Sequence, residues 1–474
     1  MTQSRRVLGA CLALAAGVLF AAPFHATTYQ VGPARTYTSL GQLFGSVDLA
    51  PGDLVEVDGN VIYGGGIVMP AADGGDPGNP VTLRGLRVAG LRPRLLGSTN
   101  TIELQANHVV MEGFEVTGGT FRCIYHHSHD VTIRDTLVHD CAAHGILGAD
   151  TGSGSLTLEH VEVHHCGNGT SQHAIYMATN EEDYPGAVFR MQHCWVHDQN
   201  GGNAVKSRAE RNEVYYNWIE GATFHLLELI GPDPAGGVPA GLAREDSDVV
   251  GNVLVHHNSF SFVRIGGDGT GESGGRYRFL NNTFVRAADA GTPPGSAVFR
   301  CFDSLQSVEM HDNAFFSVAA GGGMRLIRDL EADWTEGGQR ISGQNNWVET
   351  GSVDLPSQWT GTLGAADPGF NGNNPLDPRP ALGSSLVNAG TETPTPPAGF
   401  PFPSPLLAPA YHPSLHTVLT GNPPPSRPVA PPRDIGAYEQ PGLFADGFES
   451  GGTGMWSAQF APLFQIPMTW QENL

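Results

Sequence analysis

Lysine is all but missing from this chain: Lys206 stands alone against 24 arginines. Basic side chains total 25 against 47 acidic ones, a formal net charge of −22. Nucleic acid and anionic membrane surfaces are bound by clustered Lys and Arg, so neither is an expected partner. The negative charge reads most simply as solubility. An apolar run of spanning length is also lacking. The stretch from Val7 to Ala22 holds 16 residues, follows Arg5-Arg6 and gives way to a short polar exit at Ala26. A bilayer needs about 20 apolar residues, so residues 1–26 read as a secretory signal. Export to the periplasm or the medium is expected, with no membrane span. Cysteine is scarce at six, Cys11 falls in the signal, and no pair is spaced Cys-x-x-Cys, which argues against zinc.

What is abundant is one short alternating pattern between His108 and Trp347. It reads Val109-Val110-Met111-Glu112, Val131-Thr132-Ile133-Arg134, Leu156-Thr157-Leu158-Glu159 and Phe189-Arg190-Met191-Gln192, and continues through Asn217-Trp218-Ile219, Asn258-Ser259-Phe260, Asn282-Thr283-Phe284, Asn313-Ala314-Phe315 and Asn345-Asn346-Trp347. Apolar residues at every second position argue for half-buried strands. Their return every 22 to 41 residues argues for stacked coils, an all-β solenoid. Identical side chains in a parallel stack lie about 4.8 Å apart, so Asn217, Asn258, Asn282, Asn313 and Asn345 are expected to form an amide ladder. Cys141 and Cys166 each follow the last apolar residue of a copy by three positions. They are expected to be stacked neighbours, as a disulfide or as buried thiols.

The division expected is a signal (1–26), an N-terminal cap with the first coils (27–107), a coil stack (108–390), a proline-rich loop with a closing strand (391–440) and a tail (441–474). An uncovered terminal coil would present a pairing edge, and residues 38–44 suit a short amphipathic capping helix. Residues 391–433 hold 14 of the 35 prolines, too many to supply ladder hydrogen bonds.

Chemistry is expected around the lone lysine. Arg cannot release its proton, whereas Lys can when its surroundings favour the neutral amine, so a base is the one role Arg could not fill; chance retention is the bland alternative. His144-Gly145-Ile146-Leu147, His173-Ala174-Ile175-Tyr176, Asn203-Ala204-Val205-Lys206 and His225-Leu226-Leu227-Glu228 superpose without gaps, with Val263-Arg264 following. Ile146, Ile175, Val205 and Leu227 then face inward, and Leu147, Tyr176, Lys206, Glu228 and Arg264 form an outward column. Polar loops at 180–186, 231–247 and 266–275 would wall a groove suited to an extended polymer.

The strand pattern, the asparagine ladder and the return length resemble the single-stranded right-handed parallel β-helix of pectate-lyase-like secreted proteins. Lys206-Ser207 followed by Asn212 and Asn217 is similar to the Lys-Ser segment of the lyases that include chondroitinase B and alginate lyases. That resemblance implies that Lys206 removes the proton α to a uronate carboxylate while an arginine one coil on assists the leaving oxygen. Here Glu228 stands one coil on, Arg264 two, and Arg208 and Arg211 on the adjoining turn, where they could bind substrate. The family's calcium ligands before the lysine are replaced by Gln199, Asn200, Gly201 and Gly202. Ca²⁺ therefore rests on loop acids alone, Glu181, Glu182, Asp183, Glu245, Asp246 and Asp248; no cofactor is otherwise implied.

Two histidine sets complete the reading. His173 and His225 flank Lys206 and could shuttle protons or simply pack a turn. His139, His164 and His197 should stack, beside Asp140, His165 and Asp198, as a solvated ladder or a metal site. The leading expectation is a monomeric exported lyase acting on an extracellular polysaccharide by β-elimination, with Tyr176 or Arg264 protonating the leaving group. Alternatives are a glycoside hydrolase on a neutral glycan using Glu228 and a second carboxylate such as Asp198, and a non-catalytic surface or matrix solenoid.

Overall fold

The computed structural model describes residues 26–440 except 149–150, 232–245, 258–259, 268–274, 289–295, 303–304, 319–321, 330–339, 372–376, 400–401, 403, 416–423 and 429–430. The expected signal and C-terminal tail lie outside the described residues, as does most of the two longer loops.

Alternation in the sequence becomes strands because each coil can bury only every second side chain. Every ladder between extended strands is parallel, and the strands fall into one sheet of 10 and one of 23 among the described residues. The larger sheet is two faces joined at a corner. Val131–His139 and Leu156–His164 cross that corner as single nine-residue strands, whereas most coils break there into two. The cross-section therefore has three sides: a first face (the 10-stranded sheet), a second face and a third.

Each face contributes one inward column. Ile102, Ile124, Ile146, Ile175, Val205, Leu227, Val263 and Phe299 follow one another on the first face, and all are fully buried. Leu83, Met111, Ile133, Leu158, Met191, Val214, Val249, Phe279 and Met310 do the same on the second. Each such side chain contributes on the order of 1.5–3 kcal/mol. The last coils are filled by rings: Phe284 stacks on Phe315 at 4.9 Å, and Phe299 meets Phe279 edge-on.

The corner between the second and third faces turns through left-handed residues: Asp135, His160, His193, Tyr216, Gly251, Asn281, Asp312 and Asn345, with φ from 46° to 69°. Asn, Asp, His and Gly tolerate that region best. One residue on, the stack carries the ladder, with a correction to its membership. Asn217, Asn252, Asn282, Asn313 and Asn346 are fully buried, and each of the first four donates from Nδ2 to the next member's Oδ1 at 3.0–3.1 Å. Asn258 is outside the described residues, and Asn252 holds the position assigned to it. Asn345 sits on the corner and donates to the Ala389 carbonyl instead.

The helix Leu40–Phe44, capped by the Ser39 hydroxyl, buries Leu40 and Leu43 over the first coil, as expected of an end cap. At the other end, residues 433–439 form no strand. They cross the stack, with Gly436 N–H donating to Asp312 O and Ala437 N–H to Thr283 Oγ1. The proline-rich segment before them runs as a strap over the corner. Phe402 lies 3.5 Å over the Arg278 guanidinium, and Ala410 N–H donates to the Tyr216 hydroxyl.

The disulfide also departs from expectation: Cys123 pairs with Cys141, and Cys166 is a buried thiol. Cys141 and Cys166 do occupy equivalent positions, each sulfur lying beside the carbonyl two residues back, to which the Cys166 thiol donates at 3.2 Å. The bond instead runs across a corner of the cross-section, from the first face. One coil on, Gly145 takes the place of Cys123, and a Cβ there would lie 3.0 Å from the Cys166 sulfur, so Cys166 has no cysteine opposite it.

Candidate active site

Strand register builds the outward column on the first face one coil at a time. Tyr125, Leu147, Tyr176, Lys206, Glu228, Arg264, Arg300 and Arg328 are successive partners. The five central members are those read from the sequence; Tyr125, Arg300 and Arg328 were missed. The signal for Arg300 was present, since Val298-Phe299-Arg300-Cys301 matches Phe262-Val263-Arg264-Ile265, but strands Phe299–Cys301 and Ile327–Asp329 have three residues each. So short a run carries too little alternation to set a register.

The lysine Nζ lies 4.9 Å from the Tyr176 ring centroid on one side and 3.9 Å from Glu228 Oε2 on the other, with 16% of its side chain exposed. Glu228 is buried and shared. Arg264 Nη1 donates to its Oε1 at 2.7 Å, and Asn203 Nδ2 donates to its Oε2. Its charge is thus divided among Lys206, Arg264 and an amide. Arg264 also donates to Gly267 O.

His173 and His225 lie under this column, buried. His144 Nδ1 accepts the His173 N–H at 3.2 Å and His173 Nδ1 accepts the Asn203 N–H at 3.0 Å, which leaves the proton of each ring on Nε2. In His225 the arrangement reverses: Nε2 faces the Arg300 guanidinium at 3.1 Å and Nδ1 faces Asn203 Oδ1 at 3.2 Å, so the proton sits on Nδ1. Burial pushes His144 down to about 4 and His173 to about 2, and, with Arg300 and Arg264 nearby, holds His225 well below the usual imidazole range. The His173 and His225 rings are both buried beneath the column and tie neighbouring turns together through these hydrogen bonds.

The two expected substrate arginines part company. Arg208 lies two residues beyond Lys206 on the same strand, buried, with Nη1 donating to Gly231 O at 2.8 Å. Arg211 opens the second face, where it pairs with Asp248 and lies 5.1 Å from the Phe402 ring; it is not in the column. Four of the six acids proposed for calcium have partners of their own, Asp183 among them through Asn180 Nδ2. Asp246 pairs with Arg276, Asp248 with Arg278 and Arg211, and Glu181 accepts from Thr179; Glu245 is outside the described residues.

His139, His164 and His197 do stack, at 5.1 and 5.0 Å, on the third face. Both nitrogens of two of the rings are taken, His139 by Asp140 and Glu115 and His197 by Asp198 and Glu162, and His164 Nδ1 faces His165 Nδ1. Among the described residues no group of three or more His, Cys, Asp or Glu is arranged to hold a metal. Asp198, the second carboxylate of the hydrolase alternative, belongs to this cluster and is not a neighbour of Glu228 in the first-face column.

A family model described as a right-handed β-helix region matches residues 47–219. The chain has the right-handed parallel β-helix fold. A solved pectate lyase, Pel9A, is similar over 88% of this chain and 96% of its own, at 13% identity and a TM-score of 0.50. A polysaccharide lyase of family PL6 from Pseudopedobacter saltans is similar over 73% and 94%, at 12% identity and a TM-score of 0.40. A GH136 lacto-N-biosidase from Eubacterium ramulus is similar over 72% and 67%, at 11% identity and a TM-score of 0.40. At these identities the likeness is one of fold, and one fold hosts several chemistries. No curated protein matches the chain in sequence. No helix among the described residues is long and apolar enough to cross a membrane.

Proposed function

We propose that this chain is an exported polysaccharide lyase that cleaves a uronate-containing glycan by β-elimination, with Lys206 as the base. The observation that carries the reading is the placement of the chain's single lysine: on the outward column, partly exposed, with a phenol one coil before it and a carboxylate one coil after.

In this mechanism the neutral Lys206 amine takes the proton α to the uronate carboxylate. The electron pair left on carbon forms the C4=C5 double bond, the C4–O4 bond breaks, and the leaving oxygen takes a proton from the Tyr176 hydroxyl. Arg264 is committed to Glu228 and Gly267 O, so Tyr176 suits the donor role better. Sharing Glu228 between Lys206 and Arg264 keeps that carboxylate from pairing with the ammonium alone, and the arginines beyond it can offset the substrate's carboxylate charge. Supply of general acid and base is worth roughly 10²–10⁴-fold each.

A panel of alginate, pectate and glycosaminoglycans, followed at the absorbance of unsaturated uronates, tests the reading. Unsaturated products are expected from at least one polymer, with a loss of at least about 100-fold in kcat for Lys206→Arg. Full lyase activity in Lys206→Arg, or new reducing ends without that absorbance, would overturn it.

A further inference from the structure

We propose that Asn203 is a positioning residue for Lys206: its amide holds the Glu228 carboxylate just outside hydrogen-bond reach of the amine and so keeps the acid from capturing the base. The inference rests on the reading of Lys206 as the proton acceptor and adds the residue that tunes it.

Glu228 is buried and held at both oxygens. Arg264 Nη1 donates to Oε1 at 2.7 Å, and Asn203 Nδ2 donates to Oε2. Oε2 is also the oxygen that faces Lys206, with Nζ 3.9 Å away. N–H···O bonds fall at about 2.7–3.2 Å, so lysine and carboxylate attract each other through space without a bond between them. A carboxylate that swung across the remaining gap would bind the ammonium form directly and raise the amine's affinity for its proton. The bond from Asn203 to that same oxygen stands against the swing.

Stacking alone does not select an asparagine here. His144, His173, Asn203, His225 and Ser261 fill one place in successive coils. His144 Nδ1, His173 Nδ1, Asn203 Oδ1 and Ser261 Oγ each accept a backbone N–H of the following coil, at 2.9–3.2 Å. Imidazole, amide and hydroxyl thus serve the stack alike. What the amide adds is a second group on the same carbon: while Oδ1 accepts the His225 N–H, Nδ2 reaches Glu228. It does so three residues before Lys206, in the coil that carries the lysine.

Other charged or titratable groups surround the amine. The Tyr176 ring lies on the strand before, Arg208 on the lysine's own strand with Nη1 on Gly231 O, and Arg264 beyond Glu228. His144, His173 and His225 lie beneath, all pushed down by burial, and Arg300 faces His225. Asn203 meets two of these rings: its N–H donates to His173 Nδ1, and its Oδ1 faces His225 Nδ1 at 3.2 Å. The first is a backbone bond that a side-chain substitution leaves in place. A test variant must therefore keep an acceptor for the next coil and lose only the donor to Glu228. Serine meets that condition, since Ser261 performs the same acceptor task for the Ala297 N–H.

Because Lys206 is the only lysine, the full chain grown on lysine isotope-labelled at Cε gives a single side-chain resonance in NMR. Its titration reads the proton affinity of this amine without any substrate. Asn203→Ser is expected to move the midpoint up by about one pH unit, and by less than about 0.3 unit when Glu228→Gln is already in place. Asn203→Asp, which keeps Oδ1 and has an oxygen where the donor was, should also raise it, so that poor folding of one variant leaves the other. On the polymer that is cleaved, the acid limb of kcat/KM against pH should rise with the resonance, a loss of about tenfold below the limb. A residue that merely braces the turn would lower stability and kcat and leave the midpoint where it was. An unmoved midpoint in both variants, or an equal shift by Asn203→Ser in the Glu228→Gln background, overturns the proposal. A shifted resonance with no unsaturated products from the wild type would sink the lyase reading and leave Asn203 as the residue that tunes the amine. Unsaturated products with an unmoved resonance would do the reverse.

Discussion

Replacing Asn282 by Ala removes an amide that four groups use. Its Oδ1 accepts the Asn252 N–H and one Asn252 Nδ2 hydrogen, both at 3.0 Å, and its Nδ2 donates to Val249 O at 2.8 Å and to Asn313 Oδ1 at 3.0 Å. In the variant the Asn252 N–H loses its ladder acceptor inside a fully buried column, a desolvation cost of about 1–3 kcal/mol. Asn252 Nδ2 keeps its bond to Val214 O, and Asn313 Oδ1 keeps that from the Asn282 N–H. These two partners lose one bond of two, about 0.5–1.5 kcal/mol each, and the total comes to roughly 2–6 kcal/mol. The position itself tolerates apolar groups, since Val161 and Cys194 fill it in earlier coils; the cost arises from amides on both sides. Urea unfolding should show a lower midpoint at unchanged m. Hydrogen exchange should accelerate most at Asn252, because a repeat stack can open locally. A loss below about 1 kcal/mol with unaltered exchange there would refute the ladder as a buried, interdependent network.

Other outcomes follow from the same geometry. Cys123→Ser should lower stability by about 3 kcal/mol, the chain-entropy figure for a bridge across 18 residues, and reductant should lower the wild-type melting temperature but not the variant's. Asp312 is buried at a left-handed corner, accepts the Thr391 N–H, and is pushed by burial up to about 7. The unfolded chain releases this proton from about pH 4 and the folded chain only near 7, so the wild type loses stability as pH rises through that interval. Asp312→Asn keeps the backbone conformation and should be more stable than wild type at pH 8, by up to about 4 kcal/mol, with no gain at pH 4; equal stability at pH 8 would contradict the burial argument. Tyr176→Phe should lower kcat on the polymer that Lys206 acts on by about 100-fold or more while leaving binding nearly intact, read by steady-state kinetics beside calorimetry.

Misreadings of the sequence were of one kind. His256-His257-Asn258-Ser259-Phe260 imitates the spacing of a true copy, and only the hydrogen bonds of Asn252 to both Asn217 and Asn282 show where the register runs. Cys141 and Cys166 do share a position, but the bond followed the contact across the corner, where Cys123 is present and Gly145 supplies no side chain. Arg211 follows Lys206 closely in sequence, yet a corner intervenes and turns it onto another face. The central column was legible because four gapless tetrapeptides preserve both strand direction and alternation; its arginine end was not, because the strands there shorten to three residues.

From its sequence alone this protein had already determined its class of architecture, the inward columns and the prominence of Lys206, because period-two burial and a coil-length return are local properties that few folds satisfy together. Which amide meets which, which cysteine bonds, and that the lysine shares its carboxylate with an arginine two coils from it were decided only by stacking. Those are relations between residues 18 to 36 positions apart, and loop length, not local pattern, decides which of them come into contact.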